Sequence, residues 1–285
     1  MHASEVCIVT GANRGLGLAT AEGLARDGAT VVLACRDAHR GFEAEATVRA
    51  AAQHDRVHFL SCDLADPHSV DSFVHTFSQQ FDRLDVFVGN AGVTLPDLHR
   101  SALDVEVGWH VGYLGHYQLL RRLLPTLQAS SPARIVLLAG LYHQRGQLTL
   151  DDLGWAHRPW DWAQAGSNSQ LAKVLLAYEL ADRLAGTGVT VAAVHPGAVR
   201  THTQDVLPWH LRLLADTVLR PAFVSPRRGA RTVLRLAEDE ALEDGRGYWF
   251  RRYHEAEPHP MAHDAAARRA LWNVSADLLG LPHDG

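Results

Sequence analysis

The sequence predicts an α/β architecture: a doubly wound parallel sheet of about seven strands with helices on both faces. Two observations predict it. Short β-branched runs alternate, along almost the whole chain, with longer stretches whose apolar residues recur every three or four positions; this is the pattern of parallel strands joined by crossover helices. No repeat, low-complexity run or long linker breaks the alternation, and 285 residues, 47% of them hydrophobic, suit one core. In order, Val6–Thr10 is a β-branched run ending at a glycine cluster, and Gly17–Arg26 carries the first helical stripe. Thr30–Ala34 with Arg40–Ala52, and Val57–Leu60 with Ser69–Phe81, repeat the pair. Leu84–Gly89 leads to the helix Leu114–Leu124, and Arg134–Leu138 to the helix Leu171–Leu184. Val189–Val194 is followed by helical stretches at Pro208–Leu219 and Pro226–Leu236, then by a late strand, Tyr248–Phe250, and a closing helix, Asp264–Leu279. Residues 1–285 are expected to form a single domain.

Composition excludes several function classes. A net charge of −5 offers no clustered positive field for nucleic acid or an anionic membrane. Cys7, Cys35 and Cys62 are odd in number, widely spaced and set in apolar runs, so they read as buried free thiols of a reducing compartment. The 18 histidines show no metal-ligand spacing. No apolar run reaches the roughly 18 residues a membrane helix needs, and the N-terminus lacks signal-peptide character, which predicts a cytoplasmic protein. Of the 27 basic residues only Lys173 is a lysine, an arginine bias that resembles proteins of GC-rich bacteria, where specialised metabolism is a common setting.

The first strand runs into Thr10-Gly11-Ala12-Asn13-Arg14-Gly15-Leu16-Gly17 and a helix opens at once. In that Rossmann-type context, glycines let backbone N–H groups and the helix dipole meet a pyrophosphate. The second strand ends in Cys35-Arg36-Asp37, where an acidic residue would hold a 2′-hydroxyl. Arg36, with Arg14 nearby, suits a 2′-phosphate instead, because guanidinium matches phosphate in geometry and charge. NADP(H) is expected ahead of NAD(H), with no metal.

Thr-Gly-x-x-x-Gly-x-Gly, Cys62-Asp63-Leu64 after strand three, Asn90-Ala91-Gly92 after strand four and His195-Pro196-Gly197-Ala198-Val199-Arg200-Thr201 after strand six resemble the short-chain dehydrogenase/reductase family. Gly115-His116-Tyr117, Asp151-Asp152-Leu153 with Trp155, and Leu271-Trp272 through Pro282 resemble its retinol-dehydrogenase-like branch. The resemblance implies that Gly11 to Gly17 hold the pyrophosphate, Asp63 and Leu64 the adenine side, and Asn90, Ala91 and Gly92 the adjoining ribose region. It assigns Pro196, Gly197, Val199 and Thr201 to the nicotinamide, and places a substrate lid at about 201–225. The long helices flanking strand five pair between subunits in relatives, which implies a homodimer or homotetramer. The family usually has Asn where Gly89 stands.

The resemblance breaks at the catalytic set. Family members use an Asn, a Ser and a Tyr-x-x-x-Lys pair, because hydride transfer creates or consumes an alkoxide that needs a proton donor, and a nearby ammonium lowers the tyrosine's pKa from about 10. The ungapped register from Asp151 to Pro196 puts Gly166 at the tyrosine and Gln170 at the lysine. The serine falls at Gly140 and the asparagine at Gly112. A shifted Ser169/Lys173 pair has the right spacing but turns the lysine roughly 60° around the helix. Lys173 then reads as a helix-surface residue, and Lys173→Ala as harmless. Tyr142, His143 and Tyr113 are the remaining candidates for chemistry, with Ser167, Asn168 and Ser169 around the lost tyrosine.

Three functions remain open at this point. One is an enzyme using this nucleotide fold for dehydration, isomerisation, cyclisation or an unusual reduction of a bulky small molecule. Another is a catalytically inactive nucleotide-binding or partner protein, and the third an oxidoreductase with unusual catalytic residues.

Overall fold

The computed structural model describes residues 5–197, 224–242 and 245–283. The expected helix Pro208–Leu219, the lid, Val199 and Thr201 lie outside them, apart from the last lid residues, Val224 and Ser225.

Eight strands form one sheet: β1 (Val6–Thr10), β2 (Thr30–Cys35), β3 (Val57–Ser61), β4 (Val86–Gly89), β5 (Ala133–Leu138), β6 (Val189–His195), β7 (Gly247–Arg251) and β8 (His254–Glu255). Their order is β3-β2-β1-β4-β5-β6-β7-β8; β8 is antiparallel to β7, and all other neighbours are parallel. The two-residue β8 has too little apolar pattern to read from sequence. The order reverses between β1 and β4, and in such sheets ligands bind outside the carboxyl ends of the strands at that point.

The helices are α1 (Gly15–Arg26), α2 (Ala38–Ala52), α3 (Pro67–Gln80), α4 (Gly115–Ala129), α5 (Trp162–Arg183), α6 (Pro226–Glu238) and α7 (Ala265–Leu279). A short turn, Val107–Trp109, and a π-helical turn, His110–Leu114, run directly into α4. Two apolar layers enclose the sheet, one under α1, α2 and α6, the other under α3, α4, α5 and α7. Gly23 lets α1 and α6 touch, since a Cβ there would stand 2.4 Å from Leu234 Cδ1.

Two helices outrun their apolar stripes. α4 continues through Pro125 to Ala129, because the burial of Leu123, Leu124 and Leu127 along one face outweighs one missing N–H. α5 starts at Trp162, nine residues before Leu171, where the Asp161 carboxylate accepts from the N–H groups of Ala163 (2.9 Å) and Gln164 (3.1 Å). Its first turns are small and polar, which hides them from periodicity, and they carry the positions around the catalytic set. α7 crosses α4 and α5, with Trp272 edge-on to Tyr117 at 4.8 Å and Arg268 paired with Asp182 and Glu179. The chain's own C-terminal helix thus occupies part of the outer face of both long helices.

Candidate active site

The glycine turn is built by close approach. Gly11 and Gly15 adopt positive φ (62° and 59°), a region glycine enters without cost. A Cβ at Gly17 would lie 2.4 Å from the Gly11 carbonyl oxygen and 2.5 Å from Asn90 Nδ2. Arg14 occupies the N-cap of α1 without a side-chain cap bond, so its side chain does not take up the first-turn N–H groups; Asn13 is half-buried, and Leu16 packs into the core.

Asn90 Nδ2 donates to the carbonyls of Thr10 (2.8 Å) and Gly11 (3.3 Å), and the Ala91 N–H donates to Thr10 Oγ1 (2.9 Å). The ends of β1 and β4 are thereby stitched together. Arg36 is 74% exposed and meets Asp63 only at 3.9 Å, while Asp37 serves as the N-cap of α2 through the Arg40 N–H (2.9 Å). Leu64 is buried, and its carbonyl packs so tightly on Gly115 that a Cβ there would sit 2.2 Å away. Gly92 is open, and Pro196 and Gly197 follow β6, with Gly197 at φ 105°.

The four positions that the sequence register assigns to the family's catalytic set, Gly112, Gly140, Gly166 and Gln170, lie on or against the first turns of α5. Gln170 Oε1 accepts from the Gly140 N–H at 2.7 Å. Among the described residues a Cβ on Gly140 would meet Gln170 alone, at 3.8 Å or more, and one on Gly166 would meet Thr94 Oγ1 at 3.3 Å. Ser169 takes the space of the asparagine: its Oγ donates to the Gly108 carbonyl (3.2 Å) and would stand 2.1 Å from a Cβ on Gly112. Gly112 itself lies in the π-helical turn, the kind of interruption that often marks functional sites.

Of the three candidates for chemistry, Tyr113 is turned away from this group, Tyr142 is exposed just beyond Gly140, and His143 meets the group at the Gly140 carbonyl. Tyr113 is one residue past Gly112 and therefore faces about 100° away around the helix; its buried hydroxyl bonds Ser275 Oγ on α7 at 2.8 Å, and burial raises its pKa well above the usual value. Tyr142 is 65% exposed, with the Arg145 guanidinium over its ring. His143 is buried against Trp249, its Nδ1 donating to the Gly140 carbonyl (2.9 Å), and burial lowers its pKa. Ser167 bonds back to the Ala163 carbonyl, and the Asn168 side chain accepts from the Gln147 N–H.

Lys173 overturns its surface reading. It is 1% exposed, and Nζ donates to the carbonyls of Ala91 (3.0 Å) and Gly89 (3.5 Å). Three residues on from Gln170, it shares the α5 face that lies on the sheet. Burial lowers its pKa to about 7. Beside it, His116 links Thr10 Oγ1 (Nε2, 2.8 Å) to the Gly112 carbonyl (Nδ1, 3.2 Å); burial first, and the Lys173 charge second, hold its pKa well below the usual range. Sequence reading missed Lys173, His116, Thr10 and Thr94 as parts of the site. A signal for Lys173 was present, since Leu171-Ala172-Lys173-Val174-Leu175 is an apolar run on a largely buried helix.

Lys173 also sets a stability prediction. Below pH 7 it is charged in folded and unfolded chains alike, and folding bears the full cost of burying the charge. From pH 7 towards 10.5 the folded chain sheds the proton first, so stability rises. In thermal melts between pH 7 and 9, wild type is expected to gain on Lys173→Met by up to about 1.4 kcal/mol per pH unit. A constant difference between the two proteins would contradict this.

Among the described residues no group of three metal-ligating side chains gathers, and no helix is long and apolar enough to cross a membrane. Residues 5–149 match the short chain dehydrogenase family. Retinol dehydrogenase 13 of Mus musculus is 38% identical over 278 residues, spanning 96% of this chain and 83% of that protein. The crystal structure of an uncharacterised protein from Mycobacterium paratuberculosis superposes with a TM-score of 0.77 at 30% identity, covering 98% of this chain and 94% of that one. A short chain oxidoreductase from Pseudomonas aeruginosa PAO1, solved with NADPH and described as containing an atypical catalytic center, shares the fold (TM-score 0.68, 24% identity, 87% and 96% covered). With its glycine turn, Asn90-Ala91-Gly92 stitch and parallel sheet in place, this chain belongs to the short-chain dehydrogenase/reductase family, in its retinol-dehydrogenase-like branch.

Proposed function

We propose that the protein binds NADP(H) and acts on a bulky, apolar small molecule by chemistry that does not use the family's proton relay. The observation that carries this is the pairing of a complete glycine cradle with a cleared relay: Gly112, Gly140 and Gly166 offer no side chain, and the Gln170 amide oxygen is spent on the Gly140 N–H.

The residues present fit the dinucleotide. No described atom lies within 4 Å of a Cβ position at Gly15 or Gly92, the first turn of α1 has no capping side chain, and Arg36 projects from the end of β2 with little to hold it. Gly11 to Gly17 would hold the pyrophosphate, Arg36 and Arg14 the 2′-phosphate, Asp63 and Leu64 the adenine side, and Asn90 to Gly92 the ribose region. Pro196 and Gly197 would border the nicotinamide, together with Val199 and Thr201. When bound, the nucleotide supplies a hydride donor or acceptor.

Large exposed hydrophobics concentrate near the same edge. Val93 follows β4, Leu141 and Tyr142 follow β5, and Tyr253 follows β7, all beyond the carboxyl ends of parallel strands. Such a rim suits an apolar ligand. With no phenol at position 166, non-redox steps such as dehydration, isomerisation or cyclisation fit better than ordinary carbonyl reduction.

A catalytically inactive binding protein is the second reading, favoured by the internal use of the Tyr113 hydroxyl and of His143 Nδ1. Calorimetric titration with NADPH and NADH tests the cofactor assignment. Arg36→Ala is expected to weaken NADPH by about tenfold, the lower end for a hydrogen bond to a charged group, given its exposure, and to leave NADH unchanged. Equal effects on both nucleotides would sink the 2′-phosphate role. Binding with no turnover of any apolar alcohol, ketone or alkene would favour the second reading.

A further inference from the structure

We propose that Lys173 is a positioning residue that makes dinucleotide affinity depend on pH, by clamping the Asn90–Gly92 turn from beneath. The inference rests on the cofactor reading above.

The turn is the joint between β4 and the glycine cradle. Its upper side is fastened by Asn90 Nδ2 on the carbonyls of Thr10 and Gly11, and by the Ala91 N–H on Thr10 Oγ1. Ala91 also stands 3.1 Å from where a Cβ of Gly11 would be, so movement of Ala91 is felt by the cradle. The lower side is fastened by Lys173, whose ammonium donates to the carbonyls on either side of Asn90. Deprotonation leaves an amine with weaker donors and removes the charge that draws those two carbonyl dipoles down.

No carboxylate pairs with Lys173 among the described residues; its bonded partners there are the two carbonyls. Of the titratable groups on the packed elements, His116 on α4 interacts with it electrostatically, and burial keeps that ring neutral. Cys7 of β1 belongs to the apolar layer on the opposite face of the sheet. On α5 itself, Glu179 is occupied by Arg183 and Arg268. The buried charge is therefore compensated only by dipoles, and its proton is held weakly. An anionic dinucleotide arriving over the turn stabilises the charged form. By reciprocity, the charged form stabilises the bound dinucleotide, and affinity falls as pH rises through the neutral range.

The test is calorimetric titration of the full chain with NADPH from pH 6.0 to 8.5, for wild type, Lys173→Met and Lys173→Arg, with thermal melts confirming that each is folded. Wild-type affinity is expected to fall about tenfold more across this range than that of Lys173→Met. The ligand's own phosphate titration is common to both proteins and cancels. Lys173→Met is expected to be about tenfold weaker than wild type at pH 6.0, and Lys173→Arg to regain low-pH affinity without the slope. A readout on wild type alone stands if a variant fails to fold: at pH 7.5, where phosphate monoesters are already largely dianionic, binding measured in buffers of different ionisation heat should take up about half a proton. Equal slopes in wild type and Lys173→Met, or no proton uptake by wild type, would overturn the clamp. Absence of NADPH binding at every pH is a different result, and overturns the cofactor reading itself.

Discussion

Introducing Gly140→Ser, Gly166→Tyr and Gln170→Lys together is expected to raise NADPH-dependent carbonyl reduction by about 10²–10⁴ over the protein's own background, the contribution of a positioned general acid. Gly140 already meets the residue 170 side chain, and position 166 lies one turn earlier on the same helix. A serine Cβ at position 140 enters open space bounded by the residue 170 side chain. A tyrosine Cβ at position 166 meets Thr94 Oγ1 at 3.3 Å, a contact that a small rotation of the threonine relieves. Replacing Gln170 frees the Gly140 N–H, whose partner among the described residues is that amide oxygen, and supplies the ammonium that lowers a tyrosine's pKa. Adding Gly112→Asn demands more, since Ser169 Oγ would lie 2.1 Å from the new Cβ and must leave the Gly108 carbonyl; the quadruple variant should gain only when Ser169 is also cut to Ala. The assay is NADPH oxidation with a panel of apolar ketones and aldehydes. No gain in a folded triple variant that still binds NADPH would mean that these positions do not form the family's proton relay here.

Gly17→Val is expected to weaken dinucleotide binding by at least a hundredfold and to lower the melting temperature by about 5 °C or more. Any Cβ at this position runs into the Gly11 carbonyl at 2.4 Å and Asn90 Nδ2 at 2.5 Å. The first is backbone and the second is the tie that joins β4 to the turn, so neither can move aside without dismantling the cradle. Forcing bulk into such a packed site costs about 1–3 kcal/mol, and 1 kcal/mol is about 2–4 °C for a chain of this order of size. Gly92→Ala is the control: no atom of the described residues lies within 4 Å of its Cβ, and its melting temperature should stay within a degree or two of wild type. If Gly17→Val binds NADPH as wild type does, the close approach is not part of the nucleotide site.

Strands β1, β2, β5 and β6 were legible to within a residue or two because each is an apolar run buried on both faces, and the half-buried edge strand β3 was legible to within a residue from the short run that Val57 opens; the glycine turn was legible because its spacing follows from the chain's own geometry. The start of α5 was not legible, since Gly166 to Gln170 are small or polar and look like a loop; they are helical because Asp161 caps the helix and the site side of α5 has little apolar surface to announce itself. Tyr113, Tyr142 and His143 were attractive by their place in the sequence next to lost catalytic positions. Adjacent residues on a helix point about 100° apart, which is why Tyr113 ends on α7 and not in the site.

What the sequence by itself determined is the order of elements, the family, the glycine turn after β1 and the lack of a side chain at Gly112, Gly140 and Gly166, because all of these depend on local pattern and residue identity. The tertiary structure alone decided the fate of the single lysine. Burial and partners belong to the packed chain: only when α5 lies across the ends of β4 does Lys173 leave solvent, meet the carbonyls of Gly89 and Ala91, and hold its proton less tightly than any exposed lysine would.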